Sequence, residues 1–189
     1  MTGPLLIVLN GPIGSGKSTV GVALAGLLEA SGHRAATIDL DEVWAMVDHQ
    51  RPRRGGVPEW SLARRGVAAL ADTFFADGTD VVIAEGPFYT TAERAQMLDG
   101  LRTGADVRYV TLRVSFDEAL RRANADPDPR RSISRQRDWL RKQHDQAEAL
   151  FPPLRKTDLI VETDGTTAAV VAGRIAAGLP LATRPASRS

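Results

Sequence analysis

The stretch Leu5-Leu6-Ile7-Val8-Leu9-Asn10-Gly11-Pro12-Ile13-Gly14-Ser15-Gly16-Lys17-Ser18-Thr19 decides the fold. Its first six residues form a short apolar run without strict alternation, which predicts a strand covered on both faces. The residues from Gly11 onward fit the spacing G-x-x-x-x-G-K-S/T, and Val20, Val22, Leu24, Leu27 and Leu28 then continue in a helical pattern. A glycine-rich turn between a strand and a helix lets successive backbone N–H groups face inward as an anion nest. The helix N-terminus adds its partial positive charge. Lys17 is then placed to reach terminal phosphates, and the Ser18 hydroxyl to ligate Mg²⁺. Gly11, Pro12, Ile13, Gly14, Ser15, Gly16, Lys17, Ser18 and Thr19 are therefore the expected cradle for a nucleoside triphosphate.

Outward from this loop, short β-branched runs alternate with longer helical patterns, the rhythm of βαβ units and a parallel sheet. Strands are expected at 5–10, 36–40, 80–84, 108–114 and 159–162. Helices are expected at 17–30, 62–76, 92–101, 116–123, 134–150 and 168–177. Gly32, Gly78, Gly104 and Gly178 stand just past four of these helices, where a left-handed cap residue belongs. Residues 49–59 and 126–132 read as loops. A single domain over 1–180 and a frayed, Arg/Ser/Ala/Pro-rich tail at 181–189 are expected.

The whole chain has 189 residues, 43% hydrophobic and 25% charged, which suits one compact domain with a buried core. It contains no cysteine, which excludes disulfides, thiolate zinc sites and a cysteine nucleophile. A formal net charge of +1 is too balanced for an obligate binder of nucleic acid or acidic membrane. The apolar run at 4–9 is too short for a membrane span or a signal peptide. A soluble cytoplasmic protein without nucleic-acid or membrane partners is the expectation.

The second strand ends in Asp39-Leu40-Asp41-Glu42. In a parallel α/β sheet that end shares an edge with the phosphate loop, so these carboxylates face the γ-phosphate. Either Asp39 or Asp41 can accept the proton of an attacking hydroxyl or hold Mg²⁺ through water. The alternative for Asp41 is to cap a helix at 42–47. Glu85 closes the third strand where a carboxylate would orient the magnesium shell, so Ser18, Asp39 and Glu85 are the expected metal neighbours. Trp44, Phe88 and Tyr89 could form an aromatic wall for an organic acceptor. The arginines 51, 53, 54, 64 and 65 form a basic cluster that would hold an anionic acceptor and would be solvated with a neutral one. After the fourth strand, residues 121–137 are basic and interrupted by proline, and read as a lid. Arg122, Arg130 and Arg131 are its candidate phosphate ligands, with Lys17 as the fixed cation. Thr163-Asp164-Gly165 follows the last strand as a loop beside the nucleotide base, with Asp164 the candidate contact.

Taken together, the phosphate loop, Asp39-x-Asp41, Glu85, the Arg-rich lid and Thr163-Asp164-Gly165 resemble the shikimate-kinase-like group of P-loop small-molecule kinases over nearly the whole chain. Within it the chain is most similar to chloramphenicol phosphotransferase and the tunicamycin-resistance ATP-binding protein. The resemblance implies an α/β/α P-loop fold with a five-stranded parallel sheet in order 2-3-1-4-5. It also implies ATP/Mg²⁺-dependent phosphorylation of a hydroxyl on a small-molecule acceptor, an antibiotic being one candidate. By the same resemblance Asp39 matches the catalytic aspartate, and Asp41 the second acid used for base or acceptor contact. Three departures stand out. Trp44 occupies a place where an arginine often follows the second acid in related branches. Asp126 falls where the second arginine of R-x-x-x-R would follow Arg122. The glycine-rich segment after the third strand is reduced to Glu85-Gly86-Pro87, which argues against shikimate as the acceptor. A nucleotide or nucleoside kinase and an ATP-dependent binding or switch protein with slow hydrolysis are the competing readings. The Asp39/Asp41 pair favours phosphoryl transfer, because a pure switch needs no base for an acceptor hydroxyl.

Overall fold

A computed structural model describes residues 3–46, 59–150 and 158–179. The basic stretch holding Arg51, Arg53 and Arg54 and the tail at 181–189 lie outside these residues, as does the side chain of Arg130. Five strands, β1 (Leu5–Asn10), β2 (Ala35–Asp39), β3 (Val81–Glu85), β4 (Asp106–Arg113) and β5 (Leu159–Glu162), form one sheet in the order β2-β3-β1-β4-β5. Every neighbouring pair is parallel. Among the described residues seven α-helices connect them: α1 (Lys17–Ala30), α2 (Leu40–Ala45), α3 (Glu59–Ala76), α4 (Thr91–Leu98), α5 (Phe116–Ala125), α6 (Arg137–Leu150) and α7 (Ala168–Ala177).

The apolar run of β1 works because its two faces feed two cores. Leu5, Ile7 and Leu9 pack with Val20, Leu24 and Leu28 of α1 and with Val171 and Ile175 of α7. Leu6 and Val8 face the other way, onto Val43 of α2, Ala63, Val67 and Ala71 of α3, and Met97 of α4. Each of these leucines is essentially fully buried, and each contributes about 1.5–3 kcal/mol relative to an exposed side chain. With β1 central and covered on both sides, its C-terminal end and the loop after it emerge at the middle of one sheet edge.

Three local expectations change. Gly32 and Gly78 do adopt left-handed φ values of 83° and 88°. Gly178 instead caps α7 at φ −88°, and Gly104 lies beyond the end of α4, which stops at Leu98. The helix expected from residue 134 begins at Arg137, preceded by a 3-10 helix over Pro129–Arg135. Side-chain and backbone bonds favour the tighter turn: the Asp126 carboxylate accepts the Asp128 N–H at 2.9 Å, and Arg135 Nη2 donates to the carbonyls of Asp126 and Asp128 at 2.5 and 3.0 Å. Finally, the helix after β2 starts at Leu40, with Asp39 rather than Asp41 as its N-cap.

Candidate active site

At the C-terminal end of β1 the chain turns through Gly11–Gly16 into α1. Gly14 and Gly16 carry φ values of 81° and 89°, and a Cβ on Gly14 would lie 2.9 Å from the backbone of Ala119, so α5 packs directly on the loop. The N-terminus of α1 has no side-chain cap, which leaves its first-turn N–H groups directed at the loop's interior. Lys17 Nζ donates to the carbonyls of Gly11 and Pro12 at 2.8 and 3.2 Å. Burial pulls its ammonium below the ordinary lysine value, and the negative charges of Asp41, Glu85 and Asp39 oppose that shift.

A cavity of about 490 Å³ opens beside this loop. Ile13, Gly14, Gly16, Lys17, Ser18 and Thr19 line it from the phosphate loop, Asp39 from the end of β2, Asp41 from the first turn of α2, and Glu85 from the end of β3. Parallel pairing sets Asp39 opposite Glu85, which is why the two acids reach the same space. Asp39 Oδ1 accepts the Asp41 N–H at 2.8 Å. The Asp41 carboxyl is pushed up, first by burial and then by the charge of Asp39. Glu85 is nearly fully buried, with its pKa pushed up to about 7, chiefly by desolvation and against a hydrogen bond from the Ser18 hydroxyl. Its Oε2 has no hydrogen-bond partner.

The expected lid residues divide. Arg122 is pinned within α5: its Nε donates to Glu118 at 2.8 Å and its Nη1 to Gly14 O at 3.1 Å. Its Nη2 donates to Thr163 O at 2.6 Å. It is thus a strut between the phosphate loop and the loop after β5, committed to carbonyls and a carboxylate. Arg131 is half-exposed in the 3-10 helix, lines the cavity and pairs with Asp126 at 3.4 Å. Asp126, which replaces the second arginine of the lid pattern, therefore holds a cation at this edge.

Across Arg122 lies a second cavity of about 420 Å³, lined by Ser15, Thr19, Thr163, Gly165, Thr166 and Val171 among others. Asp164 Oδ1 accepts the Ser115 N–H at 2.9 Å and ties the loop after β5 to the start of α5.

The aromatic wall is not assembled. Phe88 is fully buried in the core, and Trp44 stacks on Trp60 of α3 with ring centroids 5.2 Å apart. The half-buried Tyr89 donates its hydroxyl to Gly11 O at 2.9 Å. Nor is Arg64 a solvated member of a basic cluster, because it is buried and bonded to Glu93 at 2.7 Å and to Pro87 O at 3.0 Å. Arg65 remains exposed. Sequence reasoning missed the contribution of Asn10, whose Oδ1 accepts the Phe88 N–H at 3.3 Å. Its one signal was a polar residue closing an otherwise apolar strand.

No helix among the described residues is long and apolar enough to cross a membrane. The fold is similar to that of an unliganded sugar kinase from Janibacter sp. HTCC2649, at 16% identity and a TM-score of 0.68, covering 98% of this chain and 99% of that one. It is also similar to the APS kinase of Mycobacterium tuberculosis in complex with AMPPNP and APS, at 18% identity and a TM-score of 0.64, with 94% and 98% covered. The Deinococcus radiodurans tunicamycin resistance protein matches at 21% identity and a TM-score of 0.59, covering 96% of this chain and 99% of that one. No curated protein is matched by the sequence. A family model described as an AAA domain matches residues 6–154, a span that takes in the phosphate loop, both strand-end acids and the basic stretch 121–137, and the chain belongs to that AAA domain family, AAA_33.

Proposed function

We propose that this protein is a small-molecule kinase that transfers the γ-phosphate of ATP, bound with Mg²⁺, to a hydroxyl of a small organic acceptor. The observation that carries this reading is that Asp39 and Asp41 border the same cavity as Lys17 and Ser18. A nucleotide switch has no need of a proton acceptor at that point, whereas phosphoryl transfer to an alcohol does. One Asp39 oxygen is held by the Asp41 N–H, which orients the carboxylate and leaves the other oxygen for the acceptor hydroxyl. Asp39 takes the hydroxyl proton as the acceptor oxygen bonds to the γ-phosphorus. The bond from that phosphorus to the β–γ bridging oxygen breaks, and ADP leaves. Asp41 holds the acceptor in line, Lys17 and the loop N–H groups hold the phosphates, and Arg131 faces the transferring group from the lid. The cavity across Arg122 takes the nucleoside.

Among the described residues no group of three or more His, Cys, Asp or Glu side chains could hold a metal by itself. Mg²⁺ nevertheless fits the residues present, because it takes one or two carboxylates and completes its shell with phosphate oxygens and water. The unpaired Glu85 Oε2, the Ser18 hydroxyl beside that carboxylate and the facing Asp39 are the groups that would hold it. When bound it neutralises charge on the β- and γ-phosphates.

The neighbouring folds of a sugar kinase and a tunicamycin resistance protein support sugars and antibiotics as acceptor classes to examine first. The test is an ATP-dependent mass gain of one phosphate across a panel of antibiotics, nucleosides and sugars. A phosphorylated product that disappears with Asp39→Asn supports the reading. Slow ATP hydrolysis with no phosphorylated product from any member would make the protein a nucleotide-dependent switch.

A further inference from the structure

Tyr89 belongs to none of the phosphate-binding or acid motifs, yet its hydroxyl reaches across 78 positions of sequence to the first glycine of the phosphate loop. The turn that carries it, residues 86–90 after β3, is held from several sides. Arg64 of α3 donates Nε and Nη2 to Pro87 O at 3.3 and 3.0 Å. Arg94 of α4 donates Nε to Phe88 O at 3.3 Å, and Asn10 accepts the Phe88 N–H. Thr90 and Glu93 close a reciprocal cap at the start of α4. Tyr89 therefore projects from a rigid frame rather than from a loose loop.

Its acceptor, Gly11 O, is the same carbonyl that receives Lys17 Nζ at 2.8 Å, while Pro12 O takes a second lysine N–H at 3.2 Å. An ammonium has three donors. With two directed at these carbonyls, the orientation of the third follows from where the carbonyls are held. On its far side Gly11 is confined as well: φ is +151°, and a Cβ there would stand 2.6 Å from Leu112 O. Burial raises the Tyr89 phenol above its ordinary value, so the hydroxyl keeps its proton and remains a donor at physiological pH.

We infer that Tyr89 is a positioning residue for the triphosphate: by fixing the Gly11 carbonyl it aims the Lys17 ammonium at the β- and γ-phosphates. The inference rests on the reading of Gly11–Thr19 as the MgATP site, and it adds a link from the turn after β3, on the acceptor side, to the charge that holds the nucleotide.

Tyr89→Phe keeps the ring and its packing and removes only the hydroxyl. The expected result is a rise of about fivefold in the Kd for MgATP, the scale of one lost hydrogen bond, with the Kd for AMP unchanged because AMP has no β- or γ-phosphate for Lys17 to hold. A second measurement repeats the comparison in a Lys17→Ala background, where removing the hydroxyl should have no further effect on MgATP. Equal weakening of MgATP and AMP would make Tyr89 a purely structural residue and overturn the inference, as would an unchanged MgATP Kd. Wild-type protein that binds no MgATP would overturn the nucleotide-site reading itself, and this inference with it.

Discussion

Asp39 Oδ1 accepts the backbone N–H of Asp41 at 2.8 Å, so the two acids are joined through a helix cap instead of standing side by side on an extended strand. The cap turns the chain at once into α2, and both side chains border the cavity. An asparagine at position 39 would keep the capping oxygen, since Asn caps helices about as well as Asp, but would lose the charge. Asp39→Asn should therefore keep nucleotide binding, which rests on the phosphate loop, and lower acceptor phosphorylation by on the order of a hundredfold or more, the usual worth of general-base catalysis. Asp41→Asn should be next in severity and act mainly on acceptor KM. Steady-state kinetics on both variants check this, and near-wild-type turnover in each would remove the pair from the mechanism.

MgATP at about a hundred times its Kd should stabilise the fold by roughly 2.7 kcal/mol. For a chain of this length that corresponds to a rise of roughly 5–10 °C in Tm. Lys17→Ala should abolish most of the shift. Thermal melts with and without MgATP decide the matter, and identical wild-type curves would refute nucleotide binding.

Glu85 gives a pH dependence of definite sign. Its carboxyl is raised from the ordinary 4.5 to about 7 by burial, so between those values the folded state holds a proton that the unfolded chain has released. Stability from this group is fully present below about pH 4.5, falls as pH rises towards 7, and levels off above that. The loss amounts to on the order of a few kcal/mol. Glu85→Gln, neutral throughout, should lack this slope. Denaturant titrations without Mg²⁺ at pH 5 and pH 8 should show the wild type losing more stability than the variant, and equal losses would contradict the assignment.

Arg64 contributes to the fold. Its guanidinium is buried against Glu93, Pro87 O and Gln96, and removing one partner of a buried pair costs about 3 kcal/mol or more. Arg64→Ala should show this loss in equilibrium unfolding. By contrast, Arg53→Ala/Arg54→Ala should change acceptor KM by less than about threefold, the scale of an exposed charge contact, with weak salt dependence. A tenfold or greater rise in KM at low salt that shrinks at high salt would point to an anionic acceptor.

The sequence by itself determined the sheet, its order by resemblance, and the phosphate loop, because those depend on local patterns. β1, α1, β5 and α7 were bounded correctly from periodicity and flanking turns, since a doubly covered strand must be continuously apolar and a phosphate loop requires its glycines at set spacings. Tertiary structure alone decided the fates of Arg64, Arg122 and Tyr89. A charged or aromatic side chain reads the same in sequence whether it faces solvent, a ligand or a carbonyl. Arg64 meets Glu93 across 29 positions, Tyr89 meets Gly11 across 78, and Arg122 meets Gly14 across 108. Parallel pairing of β1 with β3, and of β2 with β3, brings Asn10 to Phe88, Tyr89 to Gly11 and Asp39 to Glu85. Those contacts exist only once the strands are side by side, because a buried donor must find its acceptor wherever the fold has placed one.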